Sequence, residues 1–278
     1  MPELPEVETM RRGVAVVIGA TIESIQLAPC DRKPIRIEPS VKTFHRRAKD
    51  RRIDDVGRLG KRVLLQLDSG DSIVFEPRMT GLVLVTDPPS VDYLRIRIAV
   101  TGCAVRELWY WDRRGLGSVR LLSAAQCAEQ FGPHKLGPDA LTVEHETLRQ
   151  RLKASRRAIK VGLLDQRIVA GIGNLYASEI LHLAGVHPGS RCNRLTRRQW
   201  RSIHTAIGEV LNTAIRFEGS TLSDGTYRNA LNQSGGYQDQ HRVYDRAGEA
   251  CLRCDEGTIR RIVQAQRSTF YCPRCQSR

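Results

Sequence analysis

Val7, Met10, Val14 and Val17 recur every three or four residues, the spacing that gathers apolar side chains on one face of a helix. The pattern predicts a helix beginning near Glu6 and ending by Gly19. From Thr21 to Asp112 the period drops to two. VLLQLDSGDSIVF (63–75) reads as a hairpin turning at Asp68-Ser69-Gly70-Asp71. LVLV (82–85), LRIRIAV (94–100) and ELWYW (107–111) add strands, with Thr101-Gly102 as a further turn. Short antiparallel strands at this spacing predict a β-sandwich or flattened barrel, a first domain spanning 1–131.

Residues 132–145 (GPHKLGPDALTVEH) carry Gly and Pro without a period and read as a linker. Helical patterns follow at 146–167, 175–185 and 197–217, within a helical domain of 146–234. Residues 235–278 change again, to short strands and paired cysteines. EGSTLSDGTYRNALNQSGGYQ (218–238) is a polar, Gly-rich stretch of a length that is functional or mobile more often than not. The expected fold class is α+β: an N-terminal helix with an antiparallel sandwich, then a helical domain and a small cysteine-bearing segment.

Composition narrows the partner. The chain has 278 residues, 41% hydrophobic and 27% charged, the balance of a soluble globular protein with one or two domains. Forty-four Lys and Arg against thirty Asp and Glu leave a net charge of +14, which points to a polyanion, with nucleic acid the default. Ribosome or anionic-membrane binding would give a similar balance. The longest early apolar run, VAVVIGATI (14–22), is too short to span a bilayer, and no signal peptide is visible. Of eight cysteines, Cys30, Cys103, Cys127 and Cys192 are scattered and four are paired, which fits a reducing cytosol and a metal site better than a disulfide framework.

Those four form Cys251-x2-Cys254-x17-Cys272-x2-Cys275, two knuckles that suit one tetrahedral zinc. Four ligands close the site, so the zinc is expected to be structural; free or redox thiols are the alternative. In VAGIGN (169–174), Gly171 and Gly173 allow close backbone approach, and a helix starting at Asn174 offers N–H groups to an anion; the same features would serve an ordinary helix–helix joint. Lys61, after Gly60 at a strand start, reads by itself as a solvated charge, and its setting lacks the P-loop pattern. At the chain start, removal of Met1 would give Pro2 a free secondary amine. Such an amine can attack an electrophilic carbon and form an iminium, with Glu3 beside it to move a proton. Met-Pro is also a common chain start, and acidic first turns suit helix N-termini.

PELPEVE (2–8) resembles the N-terminal signature of formamidopyrimidine-DNA glycosylases, which excise oxidised purines from DNA. The endonuclease VIII branch, which acts on oxidised pyrimidines, usually reads PEGPE there, and Leu4 leans against it. DQRIVAGIGNLYASEILHLAGVHP (165–188) resembles the family's helix–two-turns–helix element, GxxGK at 57–61 its catalytic lysine, GSTLSD (219–224) the start of its lesion-capping lid, and YCPRCQ (271–276) the end of its zinc finger. The resemblance runs along nearly the whole chain and implies a bifunctional glycosylase and abasic-site lyase. Pro2 would be the nucleophile and Glu3 the acid, with Lys61 and Arg267 as helpers and Glu6 supporting them. Asn174 and Lys160 would bind DNA, while Met79, Arg114 and Leu116 would fill the hole left by a flipped nucleotide. It implies a cytoplasmic bacterial monomer on damaged double-stranded DNA, with one structural zinc and no redox or nucleotide cofactor. The rival from another class is a zinc-finger DNA-binding protein without catalysis. The chain departs from the family at four sites: Leu116 replaces Phe, Gly115 stands where Arg is common, Glu76-Pro77-Arg78 replaces a stretch with His, and Val91-Asp92-Tyr93 replaces HDH.

Overall fold

A computed structural model describes residues 2–277. The chain divides into two compact units, Met1–Gly132 with Phe217–Gln238, and Pro133–Arg216 with Asp239–Arg278.

In the first unit, α1 (Leu4–Val14) starts two residues before the point where the apolar spacing places it. Glu3 caps the helix and Pro5 fits its first turn, where a missing N–H costs nothing. The Glu6 carboxylate returns to accept the Glu3 N–H at 2.9 Å, the reciprocal half of a capping box. Leu4, Val7, Met10 and Val14 are fully buried, and a 3-10 turn (Ala15–Val17) ends the helical run.

The strands are β1 (Thr21–Leu27), β2 (Arg36–Glu38), and, after helix α2 (Val41–Ala48), β3 (Ile53–Arg58), β4 (Val63–Leu67), β5 (Ser72–Glu76), β6 (Gly81–Leu84), β7 (Leu94–Thr101), β8 (Glu107–Asp112) and β9 (Ser118–Leu122). They form one sheet in the order β1-β7-β8-β6 and another in the order β2-β9-β5-β4-β3. Every pair is antiparallel except β2 with β9, which is parallel. Val63, Leu65 and Leu67 of β4 alternate inward, and with Val7 and Met10 of α1, Phe75, Leu82 and Ile98 they share one core cluster. Each such side chain contributes roughly 1.5–3 kcal/mol by leaving water.

Helix α2 interrupts a stretch whose spacing reads as strand. Ser40 caps it by accepting the Thr43 N–H, and Phe44 and Ala48, four apart, are buried while Lys42 and Arg46 face outward. Helix α3 (Ala124–Phe131) closes the sandwich segment. Residues 217–238 pack with this unit because Tyr227 and Ala230 enter its core and the Val85 N–H donates to Ala230 O at 3.0 Å.

In the second unit the helical stretch expected at 146–167 is two helices, α4 (His145–Leu152) and α5 (Ile159–Leu164). Between them the main chain bonds elsewhere: Ser155 O accepts from Asn193 N–H and Arg157 O from Cys192 N–H, at 2.9 and 3.0 Å. Helices α6 (Asn174–Leu183) and α7 (Arg197–Arg216) and the hairpin β10 (Arg260–Gln264) with β11 (Arg267–Tyr271) complete it. Residues 133–145 lie ordered against 166–170, with Ala140 N–H bonded to Ala170 O and Leu136, Ala140 and Val143 buried. No helix among the described residues is long and apolar enough to cross a membrane.

His241, 7% exposed, supplies a pH dependence. Burial pulls its imidazole down to about 4, with Asp239 opposing and Arg246 reinforcing. The unfolded chain therefore binds this proton first, so stability is complete above about pH 6.5 and falls as the pH drops towards 4, by up to roughly 3 kcal/mol. Urea midpoints between pH 7 and pH 5 should fall less steeply in His241→Asn than in wild type.

Candidate active site and metal centre

Pro2 and Glu3 are both buried, Glu3 with 3% exposure, at the N-terminus of α1. Met1 lies outside the described residues. The turn is held by Glu6, 2% exposed, whose Oε2 accepts the Glu3 N–H and whose Oε1 accepts the Ser220 N–H at 2.8 Å. Tyr227 adds a second tie, its hydroxyl meeting Glu6 O at 3.3 Å and Glu218 O at 2.9 Å. Gly219 between them has φ +80, and a Cβ there would stand 2.7 Å from the Glu6 carboxylate. Only glycine lets the base of the 218–238 segment sit on that carboxylate. One buried carboxylate thus joins the catalytic candidates to the foot of the polar segment.

Lys61 is half-buried at the tip of the turn between β3 and β4, closed by reciprocal Leu59 and Arg62 main-chain bonds. Arg58 ties this turn to α1, donating Nε to Glu8 Oε2 at 3.0 Å and Nη1 to Gly60 O at 3.1 Å. Burial alone would raise the Glu8 pKa, but the guanidiniums of Arg11, Arg12 and Arg58 outweigh it and hold the carboxyl low. Glu8 and Arg58 escape a reading of the sequence because their 50-residue separation leaves no local pattern.

Met79 is half-buried in the loop from β5 to β6; Arg114 and Leu116 are exposed in the loop from β8 to β9. In the second unit Asn174 begins α6, and Arg267 is exposed at the start of β11. Lys160, which the resemblance reads as a DNA contact, is buried within the second unit. It is 1% exposed, and its ammonium donates to Asn174 Oδ1, Ser268 O and Thr269 Oγ1 at 2.9, 3.1 and 2.8 Å. Asn174 Nδ2 meets the same Ser268 O at 3.0 Å. A cation so enclosed orients Asn174 and docks the hairpin that carries Arg267.

The sulfur atoms of Cys251, Cys254, Cys272 and Cys275 lie within 4.8 Å of one another, with Cys251–Cys275 and Cys254–Cys272 at 3.8 Å. None is disulfide-bonded. A zinc–sulfur bond of ~2.3 Å gives a tetrahedral edge of about 3.8 Å, so the donor set fits zinc. His182 places Nε2 3.4 Å from Cys251 Sγ. Its imidazole is fully buried and held neutral, its pKa pulled down to about 4 by burial and by Arg253, and a neutral ring N–H can donate to a thiolate. Glu179, one turn earlier on α6, accepts the N–H groups of Arg242, Val243 and Tyr244 at 2.8–3.0 Å and fixes the segment leading to the finger. Burial raises its pKa against those bonds. Neither residue stands out from the sequence, although both lie inside the stretch 165–188.

Three segments match known families: residues 1–119 the formamidopyrimidine-DNA glycosylase N-terminal domain, 136–226 the formamidopyrimidine-DNA glycosylase H2TH domain, and 248–278 the zinc finger found in FPG and IleRS. A formamidopyrimidine-DNA glycosylase from Chloroflexus aggregans is 42% identical over 99% of this chain and 98% of its own. The chain belongs to the formamidopyrimidine-DNA glycosylase family. The crystal structure of the MutM (Fpg) protein from Thermus thermophilus agrees with a TM-score of 0.85 at 35% identity, covering 99% of this chain and 98% of that one. The Lactococcus lactis Fpg in complex with DNA containing an abasic site gives 0.86 at 31% identity, over 99% and 100%. Within the family frame, the four-cysteine segment is a structural zinc site, its match and its sulfur geometry agreeing.

Proposed function

We propose that Pro2, Glu3 and Lys61 carry out base excision and strand cleavage at oxidised purines in duplex DNA. Family membership makes the chain a DNA glycosylase of base excision repair. What supports the residue assignment is the buried Pro2–Glu3 pair, held by Glu6 to the segment that would cap a flipped base.

In this reading Lys and Arg neutralise phosphates, and the damaged nucleotide leaves the stack at a cost of roughly a few kcal/mol. With Met1 removed, the Pro2 nitrogen bonds to C1′ of the sugar as the base departs with the glycosidic electrons. The Pro2 nitrogen passes its proton to the departing base, Glu3 protonates the ring oxygen as the sugar opens, and the nitrogen lone pair so regained forms the iminium. The iminium acidifies the C2′ proton; its loss expels the 3′ phosphate, and a second elimination expels the 5′ phosphate. Lys61 and Arg267 assist at the phosphates. Leu4, where the oxidised-pyrimidine branch usually has glycine, leans the substrate reading towards purine lesions. The enzyme acts in the cytoplasm.

The test is borohydride trapping on duplexes bearing 8-oxoguanine opposite cytosine, with mass spectrometry of the cross-linked peptide. A cross-link on Pro2 sustains the assignment; none on purine lesions, with one on oxidised pyrimidines, overturns the substrate reading.

Lys160 and Arg267 should separate in binding. Arg267→Ala lowers the slope of log K against log salt by about 1, as loss of one phosphate contact does. Lys160→Met leaves that slope unchanged and lowers stability by about 2–3 kcal/mol, because three acceptors lose a buried donor. Salt titration by fluorescence anisotropy and urea unfolding read the two effects.

A further inference from the structure

The loop carrying Met79 and the loop carrying Arg114 and Leu116 cross between the same two sheets. One leaves β5 for β6, the other leaves β8 for β9. Gly81 pairs with Asp112 in one sheet and Glu76 with Ser118 in the other, so the registers set the two crossings side by side. Between them lies Asp112, fully buried. Its Oδ1 accepts the Thr80 hydroxyl and, at 3.2 Å, the Arg114 N–H; its Oδ2 accepts the Gly117 N–H at 2.8 Å. Thr80 Oγ1, 5% exposed, itself accepts the Arg114 N–H at 3.0 Å. Arg95 fixes the main chain below, donating Nε and Nη2 to Asp112 O at 2.9 and 2.7 Å and Nη1 to Lys33 O at 3.0 Å. Gly115 has φ +61, and a Cβ there would stand 2.4 Å from Lys33 O, so the loop lies flat and sends only Arg113, Arg114 and Leu116 outward.

We infer that Asp112 and Thr80 form a latch that makes the two loops one rigid wedge, and that both act as positioning residues for nucleotide eversion. The inference rests on the reading that Met79, Arg114 and Leu116 enter the duplex. Prying a base step open meets a restoring force worth roughly a few kcal/mol per step, and a loop free to recoil would yield before the stack does. The latch has a definite polarity. The hydroxyl must donate to Asp112 while accepting from Arg114, which a methyl group cannot do. Two oxygens must accept at once at position 112, whereas an asparagine would turn an N–H group towards another donor.

The experiment measures single-turnover excision of 8-oxoguanine from a fully paired duplex and from the same lesion within an unpaired bubble, where no stack needs opening. Thr80→Val, which keeps the shape, should lose about tenfold on the duplex, about 1.4 kcal/mol, and little on the bubble, and Thr80→Ser should restore the duplex rate. Asp112→Asn should show the same duplex-selective loss. Equal loss on both substrates, or an unchanged duplex rate in Thr80→Val, overturns the inference. Met79→Ala is measured alongside: if it shows no duplex-selective loss, the wedge reading itself fails, and an inactive wild type on both substrates is a failure of the substrate reading.

Discussion

The Glu3→Gln enzyme is expected to release damaged bases about a thousandfold more slowly than wild type while holding damaged duplex equally well, the size of a lost general acid. The substitution keeps volume and the capping position but removes the proton that must reach the sugar oxygen. Strand cleavage at a preformed abasic site should suffer far less, because part of that sugar is already open and needs no protonation to expose C1′. Pro2→Gly should lose both activities: glycine keeps an amine, but a primary one on a chain end without the ring that fixes its direction. Quenched-flow excision, lyase assays on abasic duplex and borohydride trapping separate the two. Equal losses of both activities in Glu3→Gln would remove Glu3 from the acid's role.

The second large effect concerns the metal. The core of the C-terminal segment is Val243, Cys251, Ile259, Phe270 and Cys272, so two of its five buried residues are zinc ligands. Structural zinc in isolated fingers is worth about 10–16 kcal/mol at neutral pH, far more than three aliphatic or aromatic side chains can supply. Chelation, or Cys272→Ser, should therefore melt the β10–β11 hairpin and release Ser268 and Thr269 from Lys160. Duplex affinity should fall by about a hundredfold or more, some 3 kcal/mol, while the sandwich keeps its own transition. Near-ultraviolet circular dichroism, zinc release and anisotropy follow these in one titration. A hairpin that stays folded without metal would show the cysteines to be dispensable for it.

Much of this is legible in the residues. Alternation in VLLQLDSGDSIVF locates β4 and β5 almost to the residue, and the cysteine spacing marks the metal site. Helix α2 is hidden because eight residues, with only Phe44 and Ala48 turned inward, are too few for a helical period to stand out. The split between α4 and α5 is equally hidden, because the bonds that cause it come from residues 191–193, more than thirty positions away. The surroundings of Lys160 are hidden too: a short motif shows that an ammonium is present, not that the oxygens of Asn174, Ser268 and Thr269 surround it. The tie from Glu6 to Ser220, 214 residues apart, has no local signature at all.

Thiolates that hold a fold together also expose it to the agents that create the lesions. Cys254 and Cys275 are only half-buried, and peroxide or hypochlorite reaching one would convert a ligand into a sulfenic acid. With one ligand gone the small core around Phe270 loses its anchor, and Lys160 loses the Ser268 and Thr269 oxygens on which its charge rests. Repair capacity would then fall as oxidant rises, and would recover only when the thiols are reduced and zinc returns.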